Sequence, residues 1–329
     1  MAANVKRNLG ADISLLNDRI GVRIDAYLET TNDLLLDINT PPSLGVNSYK
    51  ENVGRLQNKG IEGNINIFIL RNMEKSTTWS VFFNGIHNQN KIVEISNSLK
   101  KMNRENDASR NPDGSFKQTT PQLRFEEGQS VNAIWAVRSA GIDPSNGKEV
   151  FIRPNGDITY DWNASDKVIV GDALPKLRGN LGTNVSYKGI QLGLYFSYQW
   201  KGQLYNQTLA DRIENANLTR NVDERVLFGR WQKPGDNTFF KGIVDLNGET
   251  VTIPTNATSR FLQKDNFLQL ESLSLGYLLP NKATAKWGLR NTRISFQSNT
   301  LLRFATIQAE RGLNYPFARN FTFNISTSL

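Results

Sequence analysis

Leu177-Arg-Gly-Asn-Leu-Gly-Thr-Asn-Val-Ser-Tyr-Lys-Gly-Ile-Gln-Leu-Gly-Leu-Tyr-Phe-Ser-Tyr-Gln-Trp-Lys201 alternates with the period of two that sends side chains to opposite faces of a β-strand. Leu177, Leu181, Val185 and Tyr187 share one face, and Arg178, Asn180, Asn184 and Ser186 the other. After Lys188-Gly189 the phase flips. Ile190, Leu192, Leu194, Phe196, Tyr198 and Trp200 become the apolar set, opposed by Gln191, Gly193, Tyr195, Ser197, Gln199 and Lys201. A two-residue hairpin requires this flip, and a glycine at the second turn position supplies the positive φ of a type I′ turn.

The same pattern recurs outward from this hairpin. Leu9, Ala11, Ile13 and Leu15 connect through Asn17-Asp18 to Ile20, Val22, Ile24, Ala26 and Leu28. Ile61, Ile65, Ile67 and Ile69 begin another strand, and Trp79, Val81 and Phe83 its return. Between residues 267 and 279 the phase slips near Glu271-Ser272, as a β-bulge would produce. Ile294, Phe296, Leu302 and Phe304 mark an eighth strand, and Phe321, Phe323, Ile325 and Leu329 a ninth, which ends on a non-aromatic residue.

A soluble sandwich would also alternate, but several of these strands exceed the usual five or six residues. Their polar faces carry Asn, Ser, Thr, Gln and Gly with few charges, as a wetted lumen would. About ten residues from Ile190 to Trp200, tilted near 45°, rise roughly 23 Å, close to the apolar band of a transmembrane barrel. Tyr187 then falls at one rim and Tyr198 with Trp200 at the other. Connections at 16–19, 70–75, 188–189 and 280–290 are short; those at 31–52, 91–175, 204–265 and 305–316 are mostly long. This alternation predicts short turns at one end and long external loops at the other. The expected fold is therefore all-β: a partial antiparallel up-and-down transmembrane β-barrel spanning 1–329, with about nine long strands and small hairpins in the loops.

Composition agrees. The mean hydropathy of -0.46 is compatible with alternating strands, and no run approaches the roughly 20 apolar residues of a membrane helix. The chain has no cysteine and one histidine, His87, so disulfides, thiolate zinc sites and multi-histidine metal sites are excluded. No catalytic constellation, cofactor motif or phosphate-binding Gly-rich loop is present. The net charge of +8 is scattered rather than clustered, which argues against nucleic acid as a partner. Asp143, Asp157, Asp161, Asp166 and Asp172 lack EF-hand spacing and read as turn formers. Asn-Gly or Asp-Gly pairs at 113–114, 146–147, 155–156 and 247–248 predict hairpins within the loops. Trp135, Tyr160, Trp162 and Trp231 are the loop aromatics able to stack on a bound substrate, or else to pack the loops internally.

Nine antiparallel strands leave the first and last running the same way, so they cannot close antiparallel. Further strands upstream of Met1 are expected, and so is the export signal that the N-terminus lacks.

Several segments resemble the SusC/RagA family of TonB-dependent outer-membrane transporters. They are Asn52-Val-Gly-Arg-Leu-Gln-Asn-Lys-Gly-Ile-Glu62, preceded by Pro42-Ser-Leu-Gly45, then Gly141-Ile-Asp-Pro-Ser-Asn-Gly147 and Gly171-Asp-Ala-Leu-Pro-Lys176. Arg225-Val-Leu-Phe-Gly-Arg-Trp-Gln-Lys-Pro-Gly-Asp236 and Ser259-Arg-Phe-Leu-Gln-Lys-Asp-Asn-Phe-Leu268 with Leu275-Gly-Tyr277 complete the series. The resemblance covers essentially the whole chain and implies the C-terminal part of the barrel, without the plug domain. It implies residence in the bacterial outer membrane among its lipids, import of an oligosaccharide or peptide nutrient, energy from a TonB complex, and a SusD-like surface lipoprotein as partner. The alternatives at this level are a soluble carbohydrate-binding β-protein and a self-contained pore.

Overall fold

The computed structural model describes residues 3–32, 35–39, 48–52, 54–72, 74, 76–109, 118–251, 253–307 and 319–328. In chain order the strands begin with β1 (Ala3–Leu15), β2 (Ile20–Asn32), β3 (Leu35–Asn39), β4 (Ser48–Asn52), β5 (Gly54–Asn72) and β6 (Thr77–Ile95). Next come β7 (Ala133–Ile142), β8 (Glu149–Ile152), β9 (Ile158–Thr159), β10 (Lys167–Asp172), β11 (Leu177–Tyr187) and β12 (Ile190–Tyr205). The last are β13 (Leu262–Leu278), β14 (Arg290–Ala305) and β15 (Phe321–Ser328). Helices α1 (Asn97–Ala108) and α2 (Asn281–Thr284) lie in connections.

Nine strands form one sheet in the order β1-β2-β5-β6-β11-β12-β13-β14-β15, each antiparallel to its neighbours. These are the nine strands that alternation predicts. Tyr187 pairs with Ile190, and Lys188 and Gly189 take φ of 46° and 90°, as a type I′ turn demands. The slip near Glu271 is a bulge: Leu270 and Ser272 pair with Leu302 and Asn299, and Glu271 opposes no residue. Its carboxylate instead accepts hydrogen bonds from Ser197 Oγ and Gln269 Nε2.

Three details differ from the sequence reading. β5 and β6 run for 19 residues each, well beyond the alternating stretch that marks them. Past that stretch the pair is held by its ladder and by an apolar cluster in which Leu56, Ile92 and Ile95 pack with Leu99 of α1. The short connection after β13 contains α2, and the long connection after β6 contains α1, capped by Ser96 Oγ accepting from Leu99 N at 3.3 Å. In place of isolated hairpins, residues 133–172 build a small sheet in the order β10-β7-β8-β9, while β3 and β4 pair separately. Asn146-Gly147, Asn155-Gly156 and Asn247-Gly248 do turn the chain between β7 and β8, β8 and β9, and the bridged Val244 and Thr250. Asp113-Gly114, Pro42 to Gly45, Leu329 and most of 305–316 lie outside the described residues.

Burial is inverted relative to a soluble sandwich. The apolar faces of the long strands are the exposed ones, with Leu9 at 79%, Ile61 at 56% and Phe323 at 76% exposure. The hollows lie on the polar face. One, of about 400 Å³, is lined by Asn184, Ser186, Gln191, Ser274 and Gln297, and a second, of about 460 Å³, by Asp12, Ser14, Arg23, Asn64 and Asn66. The sheet thus curls with its polar side inward. The fully buried side chains Phe261, Ile213, Val226 and Val137 all belong to the loops and their junction with the sheet.

On the exposed apolar face, Tyr198 lies across Gly179 and Gly85 and stacks on Phe83 with ring centroids 5.4 Å apart. Its hydroxyl donates to the Asn84 carbonyl at 2.9 Å. A Cβ on Gly179 would stand 2.0 Å from that carbonyl oxygen and 2.8 Å from the Tyr198 hydroxyl. Gly179→Val should therefore force β6 and β11 apart at a cost of about 1–3 kcal/mol. The expected readout is a lower temperature for loss of the compact band in heat-modifiability gels, and an unchanged temperature would contradict this packing.

Candidate functional site

The loops after β6 and β12 meet at one end of the sheet and are locked by charge. Arg260, just before β13, donates from Nε and Nη2 to the two Glu149 oxygens at 3.0 and 2.8 Å. Its Nη2 also donates to Glu214 Oε1 at 2.6 Å, and Nη1 to the Phe239 carbonyl at 2.6 Å. All three charged side chains are buried. One guanidinium thereby ties β8, the 209–214 helical turn, the 239–241 segment and the start of β13 together. Glu214 accepts further bonds from Thr255 Oγ1 at 2.9 Å and Lys241 N at 3.4 Å.

Arg230 performs a related task with carbonyls. It donates to Val226 O at 2.9 Å, to Lys241 O at 2.9 Å and to Ile213 O, so that it closes the ends of two helical turns. Next to it, Trp231 donates from Nε1 to Pro144 O at 2.9 Å, and Gly235 N reaches the same oxygen at 2.8 Å. The indole rests on Gly147, whose Cβ would sit 2.5 Å from the ring and whose φ is 72°. The segments 141–147 and 225–236, distant in sequence, therefore fold as one unit.

Above this unit opens a cleft of about 670 Å³. One wall runs from Asn146 to Phe151 and includes Tyr160 and Trp162; the other is the 241–256 hairpin. Tyr160 is exposed, and its hydroxyl donates to Asp143 Oδ2. Trp162 is half-buried, held by its Nε1 donating to Ala257 O at 3.1 Å. Lys241 Nζ donates to Ile253 O at 2.7 Å on the opposite side. Asn146, Asp161, Asp245 and Asn247 give the rim further neutral and charged partners.

The four aromatics singled out in the sequence thus separate. Tyr160 and Trp162 share the cleft. Trp135 and Trp231 are 6% and 3% exposed and pack the interior, with Arg124 over the Trp135 ring at 5.1 Å. Asp143 forms the turn expected of it, accepting from Ser145 N at 2.8 Å, and Asp172 likewise accepts from Leu174 N at 2.8 Å. No carboxylate or histidine cluster suited to a metal occurs among the described residues. His87 Nδ1 lies 2.5 Å from the Lys176 carbonyl oxygen, so its ring is occupied in holding a loop. Arg260 lies in the Ser259–Leu268 segment quoted above, but its pairing with Glu149 and Glu214 was not marked by any local pattern, since Glu149 and Arg260 stand 111 residues apart.

Electrostatics follow from burial. Desolvation alone would raise the Glu214 carboxyl, but the charge and hydrogen bond of Arg260 outweigh it and leave the group below the usual glutamate value. Desolvation would lower Arg260, yet Glu149 and Glu214 hold it above the usual arginine value. At Lys241 desolvation prevails over the same two carboxylates, and the ammonium falls below the usual lysine value. Asp143 is lowered, first by the Tyr160 hydroxyl and then by Ser145.

No protein-family model matches the chain. It is 27% identical over 341 residues to TonB-dependent receptor P3 of Formosa agariphila, covering 98% of this chain and 32% of that protein. It is 25% identical over 288 residues to TonB-dependent receptor SusC of Bacteroides thetaiotaomicron, covering 83% of this chain and 26% of the relative. The chain is similar along most of its length to TonB-dependent receptors, SusC among them. It spans about a third of the length of the curated relatives it matches. The solved RagAB peptide transporter has the same fold over 93% of this chain and 32% of its own, with a TM-score of 0.72 at 21% identity. A closed state of the RagAB peptide importer gives a TM-score of 0.71 at 21% identity. The nine-stranded sheet is accordingly part of a β-barrel of the outer membrane.

Breaking the buried triad should unsettle the loop cluster. Arg260→Met leaves two uncompensated carboxylates and should cost about 3–5 kcal/mol. Because the folded Glu214 binds its proton less tightly than the unfolded chain, its contribution is present above the ordinary glutamate range and is lost on acidification. Fluorescence of Trp135, Trp162 and Trp231 should therefore stay native-like at neutral pH and change only below about pH 4. In Arg260→Met the change should already appear at neutral pH; a wild-type-like profile in that variant would contradict the assignment.

Proposed function

We propose that the chain is the C-terminal barrel portion of a TonB-dependent transporter that imports an oligosaccharide or peptide nutrient across the outer membrane. The observation that carries this reading is the coincidence of a polar-lined sheet with a cleft held rigidly at one of its ends. A substrate captured by the cleft stands over the hydrogen-bonding face of Asn, Gln and Ser. Similarity to TonB-dependent receptors, SusC among them, supports the direction of transport, a TonB complex as energy source and a SusD-like surface lipoprotein as partner over the long loops. These loops, around 31–52, 91–175, 204–265 and 305–316, face outward in this account.

Tyr160 and Trp162 are the residues assigned to substrate contact. Their rings offer flat apolar surface for a sugar or side chain, while Asn146 and Asn247 supply neutral hydrogen-bond partners at the rim. Trp135 and Trp231 serve the site only by holding its walls. In the whole receptor, alanine at Tyr160 and Trp162 together should weaken substrate binding about tenfold, equivalent to about 1.4 kcal/mol, with the loops still folded. Calorimetric titration with the nutrient whose uptake the receptor supports measures this. Unchanged affinity in a folded double variant would remove the cleft from the binding site.

A further inference from the structure

We propose that the exposed face of β1, β2, β5 and β6 carries a binding site for the phosphate of an anionic membrane lipid, formed by Arg7, Lys59 and Lys91. The proposal rests on the reading of that face as lipid-facing. Register defines the site. Leu9, Ala26, Ile61 and His87 are successive partners across the four strands and form the last row of the apolar face toward the loop end. The next row on the same face is Arg7, Leu28, Lys59 and Gln89. The one beyond it is Val5, Thr30, Gln57 and Lys91. Three cations therefore follow directly on an apolar surface, at the height where headgroups replace acyl chains.

At strand spacing, Arg7 and Lys59 have Cα atoms about 10 Å apart, and Lys59 and Lys91 about 8 Å apart. Their long side chains can converge on one headgroup while their stems lie along the apolar surface. All three are exposed, and none takes part in an ion pair among the described residues. The nearest acidic side chain on this face, Glu94, is already opposite Arg55, 3.6 Å away. The carboxylates of the same strands, Asp12, Asp25, Glu29 and Glu62, occupy the alternate register positions and hence the polar face. An unneutralised trio of cations beside hydrocarbon is costly without a counter-charge, and a lipid phosphate supplies it where water is scarce. Lys201 over the Trp200 ring, 4.7 Å from its centroid, shows the same pairing of cation and apolar surface at the loop end of β12.

Native mass spectrometry of the full chain in neutral detergent, with added phosphatidic acid or phosphatidylcholine, tests the site. The wild type should retain phosphatidic acid over phosphatidylcholine, and inorganic phosphate should not displace it. Joint replacement Arg7→Gln, Lys59→Gln and Lys91→Gln should reduce retention about a hundredfold, at roughly a factor of five per cation. Exchange to Arg7→Lys, Lys59→Arg and Lys91→Arg should preserve it. Equal retention of the two lipids by the wild type, displacement by inorganic phosphate, or full retention by the neutral triple variant would each overturn the proposal. Spontaneous solubility of the folded wild type without detergent would overturn the lipid-facing reading beneath it.

Discussion

Every backbone amide that crosses hydrocarbon must find its partner within the protein, and among the described residues the seven inner strands of the sheet find it on both sides while β1 and β15 find it on one. That constraint fixes the rest. Continuous antiparallel pairing from β1 to β15 leaves each strand one face for lipid and one for water, which is why leucine, isoleucine and phenylalanine sit exposed while asparagine and serine line the hollows. Turns as tight as Lys188-Gly189 can follow every second strand, and all the bulk of the connections is driven to the opposite end. Even the bulge at Glu271 obeys the constraint, restoring alternation on both sides of one unpaired residue.

With the sheet's apolar face turned outward, the loops must supply their own interior. They do so with an apolar cluster of Ile92, Ile95 and Leu99, with the separately buried Phe261, Ile213 and Val226, and with a buried ionic cluster that joins segments no ladder connects. Such a cluster adds little stability over an apolar replacement, but breaking it is expensive, so it specifies one arrangement of the loops. The cleft inherits that definition. Glu149 and Thr255 belong both to the ionic cluster and to the cleft lining, and the Tyr160 and Trp162 rings are positioned by hydrogen bonds to Asp143 and Ala257.

The barrel sheet was legible in the sequence because lipid and lumen impose a period of two on each strand that crosses the membrane. Ile61 to Ile69 reports that period directly, whereas Gly54 to Gly60 of the same strand does not, since there only Leu56 packs against a local apolar cluster of Ile92, Ile95 and Leu99. Turn chemistry was equally readable at Asn146-Gly147 and Asn155-Gly156, whose geometry is local. The loop interior was not. The contacts of Arg260 with Glu149 and Glu214, or of Trp231 with Gly147, join residues far apart in sequence, and composition cannot pair them. The aromatic residues were visible as a set, but only burial divides Trp135 and Trp231, which pack, from Tyr160 and Trp162, which line the cleft.

The central claim is that alternate residues of the long strands meet lipid and water. Spin labels placed one at a time along β5 from Ile61 to Ile67, in protein reconstituted into bilayers, measure this through collision with dissolved oxygen and with a water-soluble nickel chelate. Oxygen accessibility should peak at positions 61, 65 and 67 and chelate accessibility at 62, 64 and 66. Uniform chelate access along the whole segment, or protection of both sets from both reagents, would contradict a membrane-facing sheet.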